Sequence, residues 1–562
     1  MATRIVASCQ RQKRVQTLRS NFVNVDANFH AVCPIRLRGA EIGLIFLVIF
    51  LSAGCPPPDV NEAHYLAKAK HYWNPEWCRR DPFLQSADAH LVFYWTFGWI
   101  TQFASLPATA WIGRVITWLG LAWAWQRLSW TLFPRKLVSV LFAGGFIALM
   151  HWGHMAGEWV IGGVEAKGFA WIFVFWAWYE LLAGRWTRTF ALLGVASAFH
   201  VLVGGWSVVA AGIACLLMPR RPAVKELLPG LLIGAVCALP GVLPALALTQ
   251  GVDPEIARQA NRIYVFDRLP HHLVFHRFPH LFMARQAVLL IGWLAAWRWL
   301  SRHSAHEKLT TLFCVCSGGT VLGILGAAID QSLLFFPDLS ASLLRFYWFR
   351  LSDIVIPMAA VLSVLWWIEI LRRSRPQRSD LVLCASIVAV TISMFVLYLD
   401  HRRDPRSRAH RQIMISQSDD MDVVLANEQD WIRMCHWVSQ HTDPDALFLT
   451  PRYQQTFKWY AGRAEWCSWK DVPQDAASLV DWWHRQQEVY LPTIRGGGLL
   501  GLGEQKLMQV AQVNDIDYIV VDRQRSTGWL PLPRVYPVQP SDNPSYFVYQ
   551  VFRADAPSTQ YE

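Results

Sequence analysis

The chain is short of charge. Only 17% of its 562 residues are Asp, Glu, Lys or Arg, against about 25% in an average soluble domain. With 53% hydrophobic residues, that deficit excludes an ordinary soluble protein and leaves a polytopic membrane protein as the leading class. The 11 Cys form no CxxC motif and no Cys/His ligand spacing, so a structural zinc site has no support. No internal repeat of the kind common in transporters is visible. The Gly-rich run GGGLLGLG, 496–503, lacks the Lys-Ser/Thr of a phosphate loop and reads as a flexible connection. A long basic face is missing too. The net charge of +11 comes from short clusters between apolar runs, which argues against nucleic acid as a partner.

What the chain has instead is apolar runs and Trp, 30 in all, a residue that collects at membrane–water interfaces. Apolar segments fall at 40–57, 109–132, 137–155, 168–184, 189–204, 206–218, 226–248, 285–300, 309–330, 345–371 and 380–399. Lys and Arg mark cytoplasmic loops. Seven of them lie in the first 39 residues. Further clusters are Arg135-Lys136, Arg185 with Arg188, Arg220-Arg221 with Lys225, Arg298 with Arg302 and Lys308, and Arg372 to Arg378. Every second connection is then cytoplasmic. The pattern predicts about 11 transmembrane helices, the N-terminus in and the C-terminus out. One run dissents: HRRDPRSRAHR, 401–411, follows the last span on the outer side.

The expected organisation is a cytoplasmic N-terminal tail, 1–39, a transmembrane domain, 40–400, and an extracytoplasmic domain, 412–562. Cleavage after the first apolar run is disfavoured, because 39 residues are too many for a signal n-region. Residues 58–108 form a long first outer loop whose stretch HLVFYWTFGWITQF suits an interfacial segment. A second outer segment spans 249–284, with TQGVDPEIARQA as a helix. In the tail, DALFLT, DYIVVD and YFVYQVF read as strands, with SLVDWWHRQQEVY and EQKLMQVAQV as helices. The fold class is therefore mainly α, a membrane helical bundle with a small C-terminal α/β domain. Cys55 with Cys78, and Cys435 with Cys467, are the candidate disulfides if they face an oxidising compartment, whereas Cys314 and Cys316 suit core packing.

Ionisable side chains in membrane segments are costly and mark functional positions. Here they gather at one depth. His151, His154 and Glu158 close the third segment, Glu165 and Lys167 open the fourth, His200 ends the fifth, and Arg114 lies one turn inside the second. Arg345, Arg350 and Asp353 lie near the outer end of the tenth. Just past the first span stands PPPDVNEAHYLAKAKHYW, 56–73, with Asp59 and Glu62 three apart. Outer-side Arg and Lys run against the usual charge bias and suit an anionic ligand. HHLVFHRFPH, 271–280, spaces His272, His276 and His280 four apart, as on one helical face. Pro279 breaks that face, so metal there is disfavoured.

Asp59, Glu62, His64 and Tyr65, taken with the interfacial segment before the second span, resemble the Asp-Glu-x-x-Tyr region of the GT-C superfamily. These are polytopic glycosyltransferases of the protein O-mannosyltransferase and aminoarabinose-transferase type. The tail looks like that of bacterial relatives with a soluble C-terminal domain. The chain departs from the pattern at Asn61, where an acid is expected. The resemblance implies an enzyme of a bacterial cell membrane that moves a hexosyl or pentosyl unit from a polyprenyl-phosphate donor, with membrane lipid as its surroundings. It implies Asp59 or Glu62 as general base, and Arg114, Lys167, Arg345 and Arg350 as donor phosphate-binding residues. His64, Tyr65, His151, His154, Glu158, Glu165 and His200 then line the cavity. The resemblance implies no particular cofactor, although some relatives use a divalent cation at the first-loop acids, which leaves a metal near Asp59 open. Two alternatives stay open, a transporter or flippase of lipid-linked sugars and a non-catalytic membrane protein.

The alternating basic loops put the C-terminus outside the cytoplasm. A C-terminal reporter that fluoresces only in the cytoplasm is expected to stay dark, and a bright fusion would overturn the topology.

Overall fold

The computed structural model describes residues 33–413, 418, 420–493 and 496–551. Residues 1–32 of the expected N-terminal tail lie outside the described residues, as do 414–417, 419, 494–495 and 552–562 of the C-terminal region. The chain is mostly helical, with a small sheet near its C-terminus.

The apolar runs form the helices α1 (Ile35–Ala53), α3 (Leu106–Leu132), α4 (Val138–Gly153), α5 (Ala166–Leu182), α6 (Trp186–Phe199), α7 (Val201–Leu217), α8 (Val224–Ala247), α9 (His280–His303), α10 (Glu307–Ser332), α11 (Ser352–Ser374) and α12 (Pro376–Arg403). By length and composition five of them, α8 to α12, suffice to cross a membrane. Helices α4 and α7 are apolar but shorter. Helix α2 (Glu62–Trp73) lies in the first loop. After it the aromatic stretch forms two short helical turns that leave Trp95, Trp99 and Phe103 exposed, the surface an interfacial segment requires.

Small residues decide how closely α6 and α8 approach. A Cβ placed on Gly234 of α8 would stand 2.4 Å from the Phe190 carbonyl oxygen of α6, and one on Gly241 would stand 2.5 Å from that of Ala198. Apolar side chains gain little from meeting each other in lipid, so such backbone contact is how membrane helices associate. Three prolines, Pro229, Pro240 and Pro244, lie within α8, as membrane helices tolerate.

The C-terminal region is a five-stranded mixed sheet in the order β2-β1-β3-β5-β4. Its strands are β1 (Leu447–Leu449), β2 (Ala464–Glu465), β3 (Tyr518–Asp522), β4 (Arg534–Tyr536) and β5 (Tyr546–Gln550). Strand β1 runs parallel to β2 and β3, and β5 runs antiparallel to β3 and β4. Side chains alternate between the two faces. Phe448, Val520 and Val548 meet Trp431 and Val438 of α13 (Met421–His441) on one side. Leu449, Ile519 and Phe547 meet Leu479 of α14 (Ala476–Arg485) and Leu507 of α15 (Glu504–Val513) on the other. That second core also takes in Phe83 and Leu84 of the first loop and Ala260 and Ile263 of the second, so the sheet and the two loops share one apolar interior.

Polar contacts reinforce this seam. Lys458 Nζ lies 3.0 Å from Asp81, 3.0 Å from Glu465 and 2.6 Å from Asp471. Arg80 donates to Asp517 at 2.5 Å. The candidate disulfides are not formed: Cys55, Cys78, Cys435 and Cys467 are free, buried thiols. Cys435 packs on one face of the sheet and Cys467 on the other, which is why that pair does not meet. Cys314 and Cys316 are core residues.

Enlarging Gly234 to Leu is expected to force α6 and α8 apart and cost about 1–3 kcal/mol. Thermal unfolding in detergent reads this as a lowered Tm. Gly212→Ala, where nothing lies within 4 Å of the added carbon, should keep or slightly raise Tm, because Ala favours the helix over Gly.

Candidate functional site

At one end of the bundle the first loop, the 154–165 connection, the 249–284 segment and the C-terminal region enclose a cavity of about 920 Å³. It is lined by Asp59, His64, Tyr65, His151, His154, Glu158, Glu165, Lys167, His200, Arg345 and Arg350. Two of the expected site residues stand apart: Glu62 and Arg114 do not reach it.

Their absence has a clear cause. The Arg114 guanidinium grips the Glu62 carboxylate through two bonds of 2.6 Å and donates to the Cys55 carbonyl at 2.5 Å. Glu62 also accepts from the backbone of Asp59 and of Val164, both at 2.7 Å. Both side chains are wholly buried. A carboxylate holding four donors has no lone pair left for a substrate proton. Glu62 therefore does not belong with Asp59 as a candidate base, nor Arg114 with the phosphate ligands; the pair positions the loop. Gly163 makes room for it, since a Cβ there would lie 2.5 Å from the Asp59 side chain and 2.6 Å from that of Glu62.

Asp59 is different. Its Oδ1 accepts from the Val60 backbone at 2.6 Å. Its Oδ2 is buried without a hydrogen-bond partner among the described residues and lies 3.6 Å from Arg408. Arg408 belongs to the basic run that dissented from the charge rule. That run folds back on the first loop, where Arg408 donates to the Ser52 carbonyl at 2.8 Å and the Ala409 backbone to that of Pro58 at 3.3 Å.

Across the cavity, Lys167 lies 3.5 Å from Glu158 and 3.2 Å from Glu165. Arg350 reaches Glu158 at 2.8 Å and His200 at 3.1 Å, and sits 4.2 Å over the Tyr347 ring. Asn61, standing where an acid was expected, donates to Glu165 at 2.9 Å. Burial raises the Glu165 pKa above the usual carboxylate range, against the pull of Lys167. The 155–158 turn that carries Glu158 is fixed by Asp353, which accepts from the backbones of Met155, Ala156 and Glu158 at 2.8, 2.9 and 3.1 Å. Tyr65 and His90 share a 3.3 Å hydrogen bond on the first-loop wall.

The three spaced histidines do not share a face, because the segment breaks at Val274 and Pro279. His272 turns to the Ala156 carbonyl at 2.5 Å and His276 to Asp330 at 2.9 Å. A divalent ion does not fit at Asp59 either. Its free oxygen faces a guanidinium, the Glu62 oxygens are occupied, and among the described residues no three His, Cys, Asp or Glu side chains are arranged to hold a metal ion.

The sequence pattern missed Arg268, Arg408 and Lys470 as cavity residues. The dissenting 401–411 run was a usable signal for Arg408. Arg268 and Lys470 had none, since about 200 positions separate them.

A family described as "Domain of unknown function (DUF6798)" matches residues 429–489. No curated protein matches the chain. Among solved structures, an oligosaccharyltransferase from Archaeoglobus fulgidus, in complex with Zn and sulfate, is 13% identical. The match covers 87% of this chain and 68% of that one, with a TM-score of 0.41. The archaeal oligosaccharyltransferase AglB from the same organism, in complex with an inhibitory peptide and a dolichol-phosphate, is 12% identical. There 93% of this chain and 75% of that one are covered, at a TM-score of 0.39. Likenesses this distant carry no weight in assigning a function to the cavity, whose own geometry must supply it.

Removing one partner of a buried ion pair strands the other. Glu62→Gln is expected to destabilise the fold by about 3–5 kcal/mol, seen as a large fall in Tm. Asp59→Asn keeps the bond from the Val60 backbone and loses only a 3.6 Å contact with the partly exposed Arg408, which still donates to the Ser52 carbonyl, so its Tm should fall much less.

Proposed function

We propose that the protein is a GT-C-type glycosyltransferase that moves a hexosyl or pentosyl unit from a polyprenyl-phosphate donor to an acceptor hydroxyl. In this proposal the bundle crosses the membrane 11 times, and the cavity and residues 412–562 face the outer side. One observation supports it above the others. A buried carboxylate oxygen on Asp59, with no hydrogen-bond partner among the described residues, shares a cavity with Lys167, Arg345 and Arg350. Apolar Leu397 of α12 and Ala245 of α8 reach the same space, as a lipid-borne substrate requires.

The chemistry follows from those groups. Asp59 Oδ2 takes the proton of the acceptor hydroxyl as that oxygen attacks the anomeric carbon. The bond from that carbon to the phosphate oxygen breaks, and the polyprenyl phosphate departs with the bonding pair. Arg350 and Lys167, with Arg345 beside them, meet the charge that develops on it. The Arg408 guanidinium, 3.6 Å away, faces the Asp59 carboxylate with the opposite charge. Glu158 and Glu165 hold Lys167 and Arg350 in place, so the cations are oriented before the substrate arrives. His64, His151, His154 and His200, with Tyr65, shape the remaining wall.

Replacing Asp59 with Asn should lower transfer from a radiolabelled polyprenyl-phosphate sugar by about 10²–10⁴-fold while donor binding persists. Arg350→Ala should weaken both donor binding and turnover. Undiminished transfer by the Asp59 variant would rule out the base assignment, and failure of the wild type to transfer any sugar would rule out the enzyme.

A further inference from the structure

Seven cationic side chains line the cavity: Lys167, Arg268, Arg345, Arg350, Arg408, Arg411 and Lys470. Four of them have carboxylate partners there. Lys167 and Arg350 are held by Glu158 and Glu165, Arg408 lies 3.6 Å from Asp59, and Arg411 lies 3.5 Å from Asp400. Those are the four acids of the wall. Arg268, Arg345 and Lys470 have no ion pair among the described residues. Arg345 donates to the Asn261 side-chain oxygen at 2.5 Å. Arg268 donates to the Trp469 carbonyl at 3.3 Å and lies 4.8 Å over the indole of the same residue. Lys470 is the next residue along.

Such a group is expensive. Arg268 is buried, and Arg345 and Lys470 are half-buried; a charge withdrawn from water without a counter-charge in contact costs free energy and survives where something else offsets it. The expense shows in the side chains themselves. Burial pushes Arg268 down to about 10, and burial with the neighbouring Arg268 pushes Lys470 down to about 8. Arg452 crowds the same indole at 4.1 Å and adds more positive charge. The 249–284 segment and the C-terminal region thus bring like charges together inside a cavity.

We infer that Arg268 and Lys470 form a second oxyanion site for a phosphate-type group, separate from the phosphate met by Arg350, Lys167 and Arg345. The inference deepens the transferase proposal: the substrates together carry two anionic groups. The second belongs either to the donor, as the outer phosphate of a diphosphate, or to the acceptor.

The experiment uses the full chain in lipid nanodiscs and measures binding by calorimetry with polyprenyl monophosphate, polyprenyl diphosphate and inorganic phosphate. If the site serves the donor, the diphosphate binds about 10- to 100-fold tighter than the monophosphate, the range for charge-assisted bonds. If it serves the acceptor, the two lipids bind alike and inorganic phosphate binds on top of saturating monophosphate. In either case Lys470→Gln and Arg268→Gln abolish the second-anion effect, leave monophosphate binding intact, and Lys470→Arg restores it. Should the Arg268 variant not fold, the Lys470 pair decides, because that side chain makes no direct contact that the fold requires. The inference is overturned if wild type shows neither effect, or if the effect survives in folded Lys470→Gln. Since no transfer is measured, a chain that binds the second anion yet transfers no sugar would sink the enzyme proposal and leave this site standing.

Discussion

The bidentate pair between Glu62 and Arg114 is the interaction on which the rest of the cavity depends. It joins the end of α1, through the Cys55 carbonyl, to the start of α2, the middle of α3 and the loop before α5. Four segments of chain converge on two side chains that water never reaches. Such a pair gains little net stability over a well-packed apolar alternative. What it supplies is register. With the Asp59 backbone held by Glu62 at 2.7 Å, the Asp59 carboxylate has few places to point other than into the cavity.

A second constraint comes from the far end of the chain. The core beneath the sheet continues into the first and second loops, and Lys458 sits among three carboxylates drawn from Asp81, Glu465 and Asp471. The C-terminal region is therefore a wall of the cavity rather than an appendage, and Lys470 and Gln474 are among the residues it contributes. The matched family segment, 429–489, contains that wall.

Much of this was legible in the sequence, and the reasons differ by element. The apolar runs announced the helices, because a segment that meets lipid must satisfy its own backbone. The strands at 447–449, 518–522 and 546–550 showed themselves through branched and aromatic residues. Strand β2 has only two residues, and β4, Arg-Val-Tyr, is half-buried throughout, so neither carries an apolar run. The depth of Glu158, Glu165, Lys167 and His200 along the chain was enough to gather them at one cavity. It could not separate Asp59 from Glu62. That distinction depends on Arg114 and Val164, more than 50 and 100 positions away, and residue spacing is blind to such partners. For the same reason the candidate disulfides failed, since pairing of Cys435 with Cys467 depends on which face of a sheet each one meets.

The fold-back of residues 401–411 has a consequence for how the protein is made. Asp59 and Arg408 are about 350 positions apart, yet they lie 3.6 Å from each other. At a synthesis rate of about 5–20 residues per second, the first loop waits about 20–70 s for the partner that covers it. During that interval Asp59 stands without its guanidinium, and the cavity lacks the wall that Arg408 and Arg411 supply. A nascent chain thus has an incomplete cavity until α12 and the segment after it have been delivered.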